Sequence, residues 1–189
     1  MPNATSPTLA DQLARLLNAL PDARSADTAL RLVDACRRQI AGDSIFSIQQ
    51  NVTTAHDPID EIRLSRFYSS EADRYPVKGV KLKSLAPWTE CLFVQGRVFV
   101  GEGAQALTLH FDDFEQMDAQ GLQSVINVPL LQGNLCYATF NVFGTRARWL
   151  PHEVLGIRLL ALAAARWVPV APGLAQRFAG ASLSNPVEV

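Results

Sequence analysis

Two asparagines lie inside apolar runs whose composition is typical of strands. Asn127 is part of Val-Ile-Asn-Val, and Asn141 is part of Thr-Phe-Asn-Val. Asparagine is depleted in strands, and a buried amide without partners costs about 1–3 kcal/mol. Either the two amides orient a small polar ligand in a pocket, or they bond to each other, to loop backbone or to buried water.

The pairing of these two runs decides whether the amides share a face of a sheet. The sequence Gln132-Gly133-Asn134 between the runs predicts a hairpin turn. If Leu131 pairs with Leu135, the two asparagines are diagonal neighbours on one face. A register shifted by one residue places them on opposite faces.

A second polar region is the segment from Arg66 to Trp88, which carries aromatic, hydroxyl and basic side chains. They are Arg66, Tyr68, Ser69, Ser70, Tyr75, Lys81 and Trp88. A long loop packed over a sheet is a usual way to cover a ligand site. The alternative is a surface loop that Tyr75 and Trp88 hold in place as hydrophobic plugs.

The three cysteines, Cys36, Cys91 and Cys136, are widely spaced and form no CxxC pair. An odd number without such a pair favours reduced thiols. Cys36 and Cys136 fall in regular elements, where buried thiols are inert. We expect all three to be core residues; the alternative is thiol redox chemistry through Cys91, which requires an accessible thiol with a depressed pKa.

Common catalytic and metal-binding signatures are missing. The sequence contains no GxSxG, Walker loop, HExxH or GxGxxG motif. His56, His110 and His152 are far apart, and their spacing indicates no metal site. We therefore predict no catalytic residue, no metal ligand and no cofactor.

The elements that must position these residues form an α+β pattern. Apolar periodicity and caps predict helices over 8–20, 25–41, 84–95, 112–120 and 151–168. Alternation predicts strands over 44–50, 61–69, 97–100, 124–131 and 135–143, with an irregular segment over 70–83. Because hairpins demand antiparallel pairing, helices packed on an antiparallel sheet are expected.

Composition narrows the class of protein. The chain has 189 residues, 48% hydrophobic residues and a formal net charge of -1. This is enough for one core, and it provides no strong field for nucleic acid or an anionic membrane. The stretch Leu155 to Ala171 contains two arginines and a proline, so it is not expected to span a bilayer. No secretory leader is recognised, and a cytoplasmic location is expected.

The stretch from Trp88 to Val168 resembles the GAF domain. The similar segments are Gly96-Arg-Val-Phe-Val, Gly121-Leu-Gln-Ser124-Val-Ile-Asn-Val-Pro129-Leu, Leu135-Cys-Tyr-Ala-Thr-Phe-Asn-Val, and an apolar helix after Trp149-Leu-Pro-His-Glu. The family usually has glycine where Cys136 stands. The stretches Arg66-Phe-Tyr-Ser-Ser70, Tyr75-Pro-Val-Lys-Gly79-Val-Lys81 and Pro87-Trp88 resemble a subgroup of stand-alone bacterial GAF proteins.

The resemblance implies a five- or six-stranded antiparallel sheet with terminal helices on one face and a ligand cavity on the other. Family members bind cyclic nucleotides, haem, bilins, amino acids or other small molecules, and many only dimerise. The local motifs of the cyclic-nucleotide and bilin subtypes are not found here. The resemblance covers roughly residues 8–168, between an N-terminal tail, 1–7, and a C-terminal tail, 169–189.

The resulting prediction is a sensor or regulatory domain that binds a small polar molecule and has no fused effector. The predicted lining residues are Tyr75, Lys81, Trp88, Asp113, Ser124, Asn127 and Asn141. Trp88 would form an apolar wall, Lys81 a counter-charge for an acidic ligand, and the asparagines would donate or accept hydrogen bonds. The expected partners are a second copy, bound through the terminal helices, and an effector protein, but neither nucleic acid nor membrane. The alternatives are a thiol redox enzyme similar to free methionine sulfoxide reductases, and a purely dimerising interaction module.

Overall fold

The structure is a computed structural model that describes residues 7–111 and 114–178. Its helices are α1 (Leu9–Ala19), α2 (Ala26–Ala41), α3 (Pro87–Thr89), α4 (Gly103–His110), α5 (Phe114–Asp118) and α6 (Pro151–Ala165). A single 3-10 turn, Leu20–Asp22, follows α1, and a π-helical turn, Glu90–Val94, continues α3. The strands are β1 (Ser44–Asn51), β2 (Glu61–Ser69), β3 (Val80–Ser84), β4 (Phe99–Glu102), β5 (Ser124–Gln132) and β6 (Leu135–Gly144).

The six strands form one antiparallel sheet in the order β3-β2-β1-β6-β5-β4. The first and last strands of the sequence, β1 and β6, pair in the centre of the sheet, and β3 and β4 form its edges. The predicted α+β class and the antiparallel sheet are confirmed.

Side-chain alternation gives this sheet two different faces. Phe46, Ile48, Ile126, Phe140 and Val142 point to one face and are fully buried beneath α1, α2 and α6. Because neighbouring residues of a strand point to opposite sides, the residues between them face the other side of the sheet. The face beneath the helices is called the helix face below, and the opposite one the cavity face.

The three long helices begin and pack for local reasons. Thr8 and Asp11 form a capping box at the start of α1, and Ser25 caps α2. Gly156 of α6 lies so close to α2 that a Cβ there would be 2.8 Å from Cγ2 of Ile40. A side chain at this position would push the two helices apart, so glycine permits the close crossing.

Three parts of the chain differ from the sequence-based prediction. Residues 80–84 form the edge strand β3 within the segment predicted to be irregular, and residues 103–110 form α4. The turn of the β5–β6 hairpin has two residues, because Gln132 pairs with Leu135. An irregularity after Leu130 then shifts the register, so that Asn127 stands directly opposite Asn141 rather than diagonal to it.

Residues 169–178, called the C-terminal strap below, cross the end of the sheet instead of leaving it as a loose tail. The backbone N–H of Ala175 donates to the carbonyl oxygen of Thr53 at 2.8 Å. Nη2 of Arg177 donates to the carbonyl oxygens of Thr54 at 2.6 Å and Asp57 at 2.9 Å. The strap therefore packs on the domain at the β1–β2 loop.

In the part of the chain that the structure describes, no helix combines the length and the apolar character that crossing a membrane requires.

Candidate ligand-binding cavity

A cavity of about 80 Å³ lies on the cavity face of the sheet. It is bounded by strands β1, β2, β3, β5 and β6, by α3 and by the segment that contains α5. Its lining residues are Ile45, Ser47, Gln49, Leu64, Arg66, Tyr75, Lys81, Lys83, Trp88, Phe111, Met117, Leu122, Asn127, Asn141 and Phe143. The space is thus on the side of the sheet opposite α1, α2 and α6, as the sequence analysis predicted for a ligand cavity.

The floor of the cavity is a polar row that crosses three adjacent strands. Ser47 of β1 stands opposite Asn141 of β6, and Asn141 stands opposite Asn127 of β5. Directly opposite residues on one face have their Cβ atoms about 5 Å apart, so the three side chains are immediate neighbours. All three are buried.

The two asparagines are joined in a hydrogen-bonded chain. Nε1 of Trp88 donates to Oδ1 of Asn127 at 2.9 Å, and Nδ2 of Asn127 donates to Oδ1 of Asn141 at 2.6 Å. Nδ2 of Asn141 donates to Oγ1 of Thr139 at 3.1 Å and to its carbonyl oxygen at 3.2 Å. Mutual bonding, which the sequence analysis left open, therefore occurs, and it places both amides at the cavity floor in a fixed orientation.

Gln49 adds a polar group with a different status. It follows Ser47 by two residues on β1 and therefore points to the same face. Its Oε1 atom is buried and accepts no hydrogen bond from the residues that the structure describes. A buried oxygen without a donor costs about 1–3 kcal/mol, so this position favours any bound molecule that brings a donor.

The walls of the cavity are apolar and largely aromatic. The ring of Phe111 contacts Trp88 and Phe143 in edge-on arrangements, with both centroid distances at 5.9 Å. Met117 and Leu122 close the side next to α5. A polar floor with apolar walls is the usual composition of a site that orients a small molecule.

Basic and aromatic side chains form the outer rim. The guanidinium of Arg66 lies over the ring of Tyr75, 5.5 Å from its centroid, and Nη1 of Arg66 donates to the carbonyl oxygen of Pro76 at 3.1 Å. The Tyr75 hydroxyl donates to Oε1 of Gln120. Tyr75 therefore ties the segment between β2 and β3 to the turn after α5 across the mouth of the cavity.

Five predicted site residues line this cavity: Tyr75, Lys81, Trp88, Asn127 and Asn141. Asp113 lies outside the described residues.

The prediction that Ser124 lines the cavity is wrong, because Ser124 is buried on the helix face. It is separated from Asn127 by three positions, and an odd separation along a strand puts two side chains on opposite faces. Ser124 instead lies against Gly144, where an added Cβ would be 2.8 Å from Oγ of Ser124 and 2.7 Å from Cη2 of Trp149.

Trp88 is more buried than a residue on an open loop. Only 7% of it is exposed, and it packs in a cluster with Ile62, Leu64, Leu92 and Phe93. It forms a wall of the cavity, and it also belongs to the core.

Sequence reasoning missed Ser47 and Gln49. The available signal was the alternation in Phe46-Ser47-Ile48-Gln49, in which the two polar residues share one face and the two apolar residues share the other. The same alternation is ordinary for a strand that has one face in solvent, so it does not by itself indicate a site. The surroundings of β1 give it meaning, since one face lies beneath the helices and the other borders the cavity.

None of the three cysteines is among the residues that line the cavity. Burial raises the pKa of the Cys36 thiol and raises that of Cys136 to about 12. Burial also raises the pKa of Cys91, whose Sγ donates to the carbonyl oxygen of Arg97 at 3.6 Å. Within the described residues, no group of histidine, cysteine and acidic side chains could hold a metal ion.

The arrangement of six antiparallel strands, terminal helices on one face and a cavity on the other matches solved structures. The GAF domain of a phosphoenolpyruvate-protein phosphotransferase from Coxiella burnetii aligns with a TM-score of 0.63 at 11% identity, covering 84% of this chain and 90% of that one. The chain has a GAF-like fold. No family model and no curated protein matches it in sequence.

Two further GAF-like neighbours carry chromophore-related names. The chromophore-binding domain of a bacteriophytochrome from R. palustris aligns with a TM-score of 0.57 at 12% identity, covering 82% of this chain. This chain spans only 59% of that domain. A far-red-absorbing protein with bound biliverdin IXa aligns with a TM-score of 0.59 at 16% identity, covering 82% of this chain and 97% of that one. At these identities the likeness establishes the fold alone.

Proposed function

We propose that this GAF-like domain is a sensor or regulatory domain that binds a small polar molecule in the cavity. The observation that carries the proposal is the row Ser47, Asn141 and Asn127, which presents polar groups in register at the floor of a space with apolar walls. A filled core would have no reason to place three polar side chains together at buried positions of central strands.

The size of the cavity limits what it can hold. Sites for drug-sized ligands measure about 300–1,000 Å³. The cavity here measures about 80 Å³, so it accommodates a compact ligand and not an extended tetrapyrrole unless the lining residues move. The polar part of its lining includes Arg66, Lys81 and Lys83.

Mass spectrometry of small molecules released from natively purified protein tests this function. The matched control is Ser47→Leu, which removes a floor hydroxyl and fills part of the cavity. We expect a small molecule to be released from the wild type and to be lost from the folded variant. A thermal-shift screen of a broad metabolite library covers ligands that are lost during purification. If neither method finds a molecule that discriminates between the wild type and Ser47→Leu, the proposed function is wrong.

A specific surface feature favours dimerisation as a second function. Leu155, Leu159 and Leu162 of α6 are exposed by 51%, 37% and 72%, and Leu17 of α1 is also exposed. Spacings of three and four residues put the three α6 leucines on one stripe of the helix. We propose that this stripe, together with α1, binds a second copy of the chain and that ligand binding is read out by an effector protein through this assembly.

Light scattering tests the dimer. We expect the wild type to be dimeric at micromolar concentrations and Leu162→Glu to be monomeric. Leu109→Glu is a matched control, because Leu109 is 77% exposed on α4, which does not belong to the terminal helices. A monomeric wild type contradicts this second function and leaves the ligand-binding proposal unaffected.

The redox alternative has no comparable support. It requires a thiol with a depressed pKa, and burial raises the pKa of Cys91. The corresponding measurement is alkylation of the native protein, for which we expect slow labelling at all three cysteines.

A further inference from the structure

We propose that the C-terminal strap is a detachable support of the cavity wall. It is docked when the cavity is empty or holds a compact molecule, and it is displaced when a larger molecule enters. The inference deepens the proposed function and rests on it, because it names how the same cavity is regulated.

The strap adds one residue, Phe178, to the apolar cluster that forms the Trp88 side of the cavity. Phe178 is 8% exposed, and the other buried members of the cluster are Ile62, Leu64, Trp88, Leu92, Phe93 and Cys136. Of these, Leu64 and Trp88 also line the cavity, whereas Phe178 does not. The ring of Phe178 therefore lies behind the wall and limits how far the wall can move outward.

The strap reaches this cluster from the other face of the sheet. Leu174 packs against the core of the helix face, and Phe178, four residues later, is buried in the cluster on the cavity face. Between them, the backbone of Ala175 and the side chain of Arg177 donate to carbonyl oxygens of the β1–β2 loop. These hydrogen bonds involve no residue of a strand, so the strap can leave without breaking the pairing of the sheet.

Two features of the docked strap oppose its docking. Phe178 has a φ of 59°, in the left-handed region that is unfavourable for a residue with a Cβ. Nε of Arg177 is buried and has no hydrogen-bond partner among the described residues. A strained backbone persists only where surrounding contacts hold it, and such residues are frequent in segments that switch. Both features are relieved when the strap leaves, which favours reversible docking.

Displacement of Phe178 changes what the cavity can hold. With the strap docked, the cavity measures about 80 Å³, whereas a void of about 150 Å³ with apolar walls is enough to bind benzene. Once the ring leaves the cluster, Leu64 and Trp88 have room to move outward, and the cavity admits a molecule with an aromatic ring. Because such a molecule and the docked strap exclude each other, binding of the molecule releases the strap.

Three neutral alcohols of increasing size test this limit: isopropanol, benzyl alcohol and naphthalenemethanol. Each carries one hydroxyl group for the polar floor, so the size of the apolar body is what differs. Binding is measured by NMR titration of isotope-labelled protein, with the indole N–H signal of Trp88 as the reporter. Its assignment follows from its loss in Trp88→Phe. Docking is measured by hydrogen exchange of the Ala175 amide, whose hydrogen bond to Thr53 requires the docked strap.

In the wild type we expect naphthalenemethanol to accelerate exchange at Ala175 and isopropanol to leave it unchanged. Amides of the central strand β6 should keep their exchange rates, because the strap opens without global unfolding. Arg177→Ala should tighten naphthalenemethanol binding at least about fivefold, since the apparent affinity rises with the population of the open state. The affinity for isopropanol should not change.

Two further variants separate displacement of the strap from other effects. Arg177 does not line the cavity, so a purely structural role of its side chain would lower stability without changing probe affinity. Phe178→Ala keeps Arg177 and removes the ring behind Trp88, and it should also tighten naphthalenemethanol binding. Gln176→Ala changes an exposed residue of the same strap and is the matched control, which should behave as the wild type.

Either of two results overturns the inference and leaves the proposed function standing. One is equal affinity of the wild type and Arg177→Ala for naphthalenemethanol, including no binding to either protein. The other is binding of this probe to the wild type, seen at Trp88, without faster exchange at Ala175. The proposed function is tested separately by the mass spectrometry and the metabolite screen, and it fails only if neither finds a discriminating molecule.

Discussion

The two faces of the sheet are both covered but are built from different chemistry. On the helix face, Phe140 and Val142 of β6 are fully buried in a continuous apolar core, and the rings of Phe46 and Phe140 are 4.3 Å apart. On the cavity face of the same strand, Asn141 and Phe143 border a space that the protein does not fill. One strand thus serves packing with one set of side chains and presents a site with the other.

The comparison teaches that burial alone does not separate core from site. Ile126 and Asn127 are adjacent, and their exposures are 0% and 1%. Burial of the isoleucine is favourable in itself, whereas the amide is tolerated only because Trp88 and Asn141 satisfy it. The difference predicts distinct responses to mutation on the two faces.

The largest expected effect is on the helix face. Phe140→Ala should lower the free energy of unfolding by about 3–5 kcal/mol, because it removes a fully buried ring from a filled core. Phe143→Ala, on the cavity face of the same strand, should cost clearly less, since its ring borders an existing space and is only partly buried. Chemical denaturation of both variants measures the difference. Equal losses would show that the cavity face is packed as tightly as the helix face.

The next effect concerns the hydrogen-bonded chain at the cavity floor. Asn127→Ala should cost about 1–3 kcal/mol, because it leaves the indole N–H of Trp88 and Oδ1 of Asn141 without their partner. Trp88→Phe keeps an aromatic ring and removes the N–H, so it leaves Oδ1 of Asn127 without this donor. The double variant should lose less than the sum of the two single losses, because both remove the same hydrogen bond. Additive losses, measured by denaturation, would contradict the bond between these side chains.

The comparison of faces also explains what the sequence could predict. The apolar stripes of the long helices and the hairpin around Gly133 are local patterns, and they predict α1, α2, α6, β5 and β6 correctly. Asn127 and Asn141 are recognisable because polar residues in apolar strands conflict with local preference. That signal reports a buried polar group and not its partners, so the bond between the two amides emerges only from the register.

Features that depend on long-range pairing could not be predicted. Val80–Ser84 is exposed at every second residue and becomes a strand only by pairing with β2. Ser47 and Gln49 become floor residues because β1 is inserted between β2 and β6, far away in sequence. The error at Ser124 has another cause, since the separation of three residues from Asn127 already excluded a shared face within one regular strand.

A smaller effect is expected where the C-terminal strap connects the two faces. Leu174 packs against the core of the helix face, and Phe178 is buried in the cluster that contains Trp88. Arg177→Ala removes the hydrogen bonds to the carbonyl oxygens of Thr54 and Asp57 and should cost about 1–2 kcal/mol. Limited proteolysis should then cleave the variant within the strap faster than the wild type. Unchanged cleavage and stability would show that the strap does not stabilise the domain.

The smallest effect is the pH dependence that Asp57 imposes on the loop beneath the strap. The backbone N–H of Thr54 donates to Oδ2 of Asp57 at 2.8 Å, and Nε of Arg63 donates to Oδ1 at 2.7 Å. These hydrogen bonds, that of Thr54 first, lower the pKa of Asp57 from 3.8 to about 2. Because the pKa is lower in the folded protein, the stabilisation is fully present above the unfolded pKa and is lost as the pH falls towards about 2. The stability advantage of the wild type over Asp57→Asn should accordingly be constant near neutral pH, and it should shrink as acid titrates the carboxylate.

Asp60→Asn, at an exposed position of the same loop, is the matched control and should lack this trend. Thermal unfolding of the three proteins across the acid range measures it, and parallel curves for the wild type and Asp57→Asn would mean that the carboxylate does not stabilise the loop on which the strap rests.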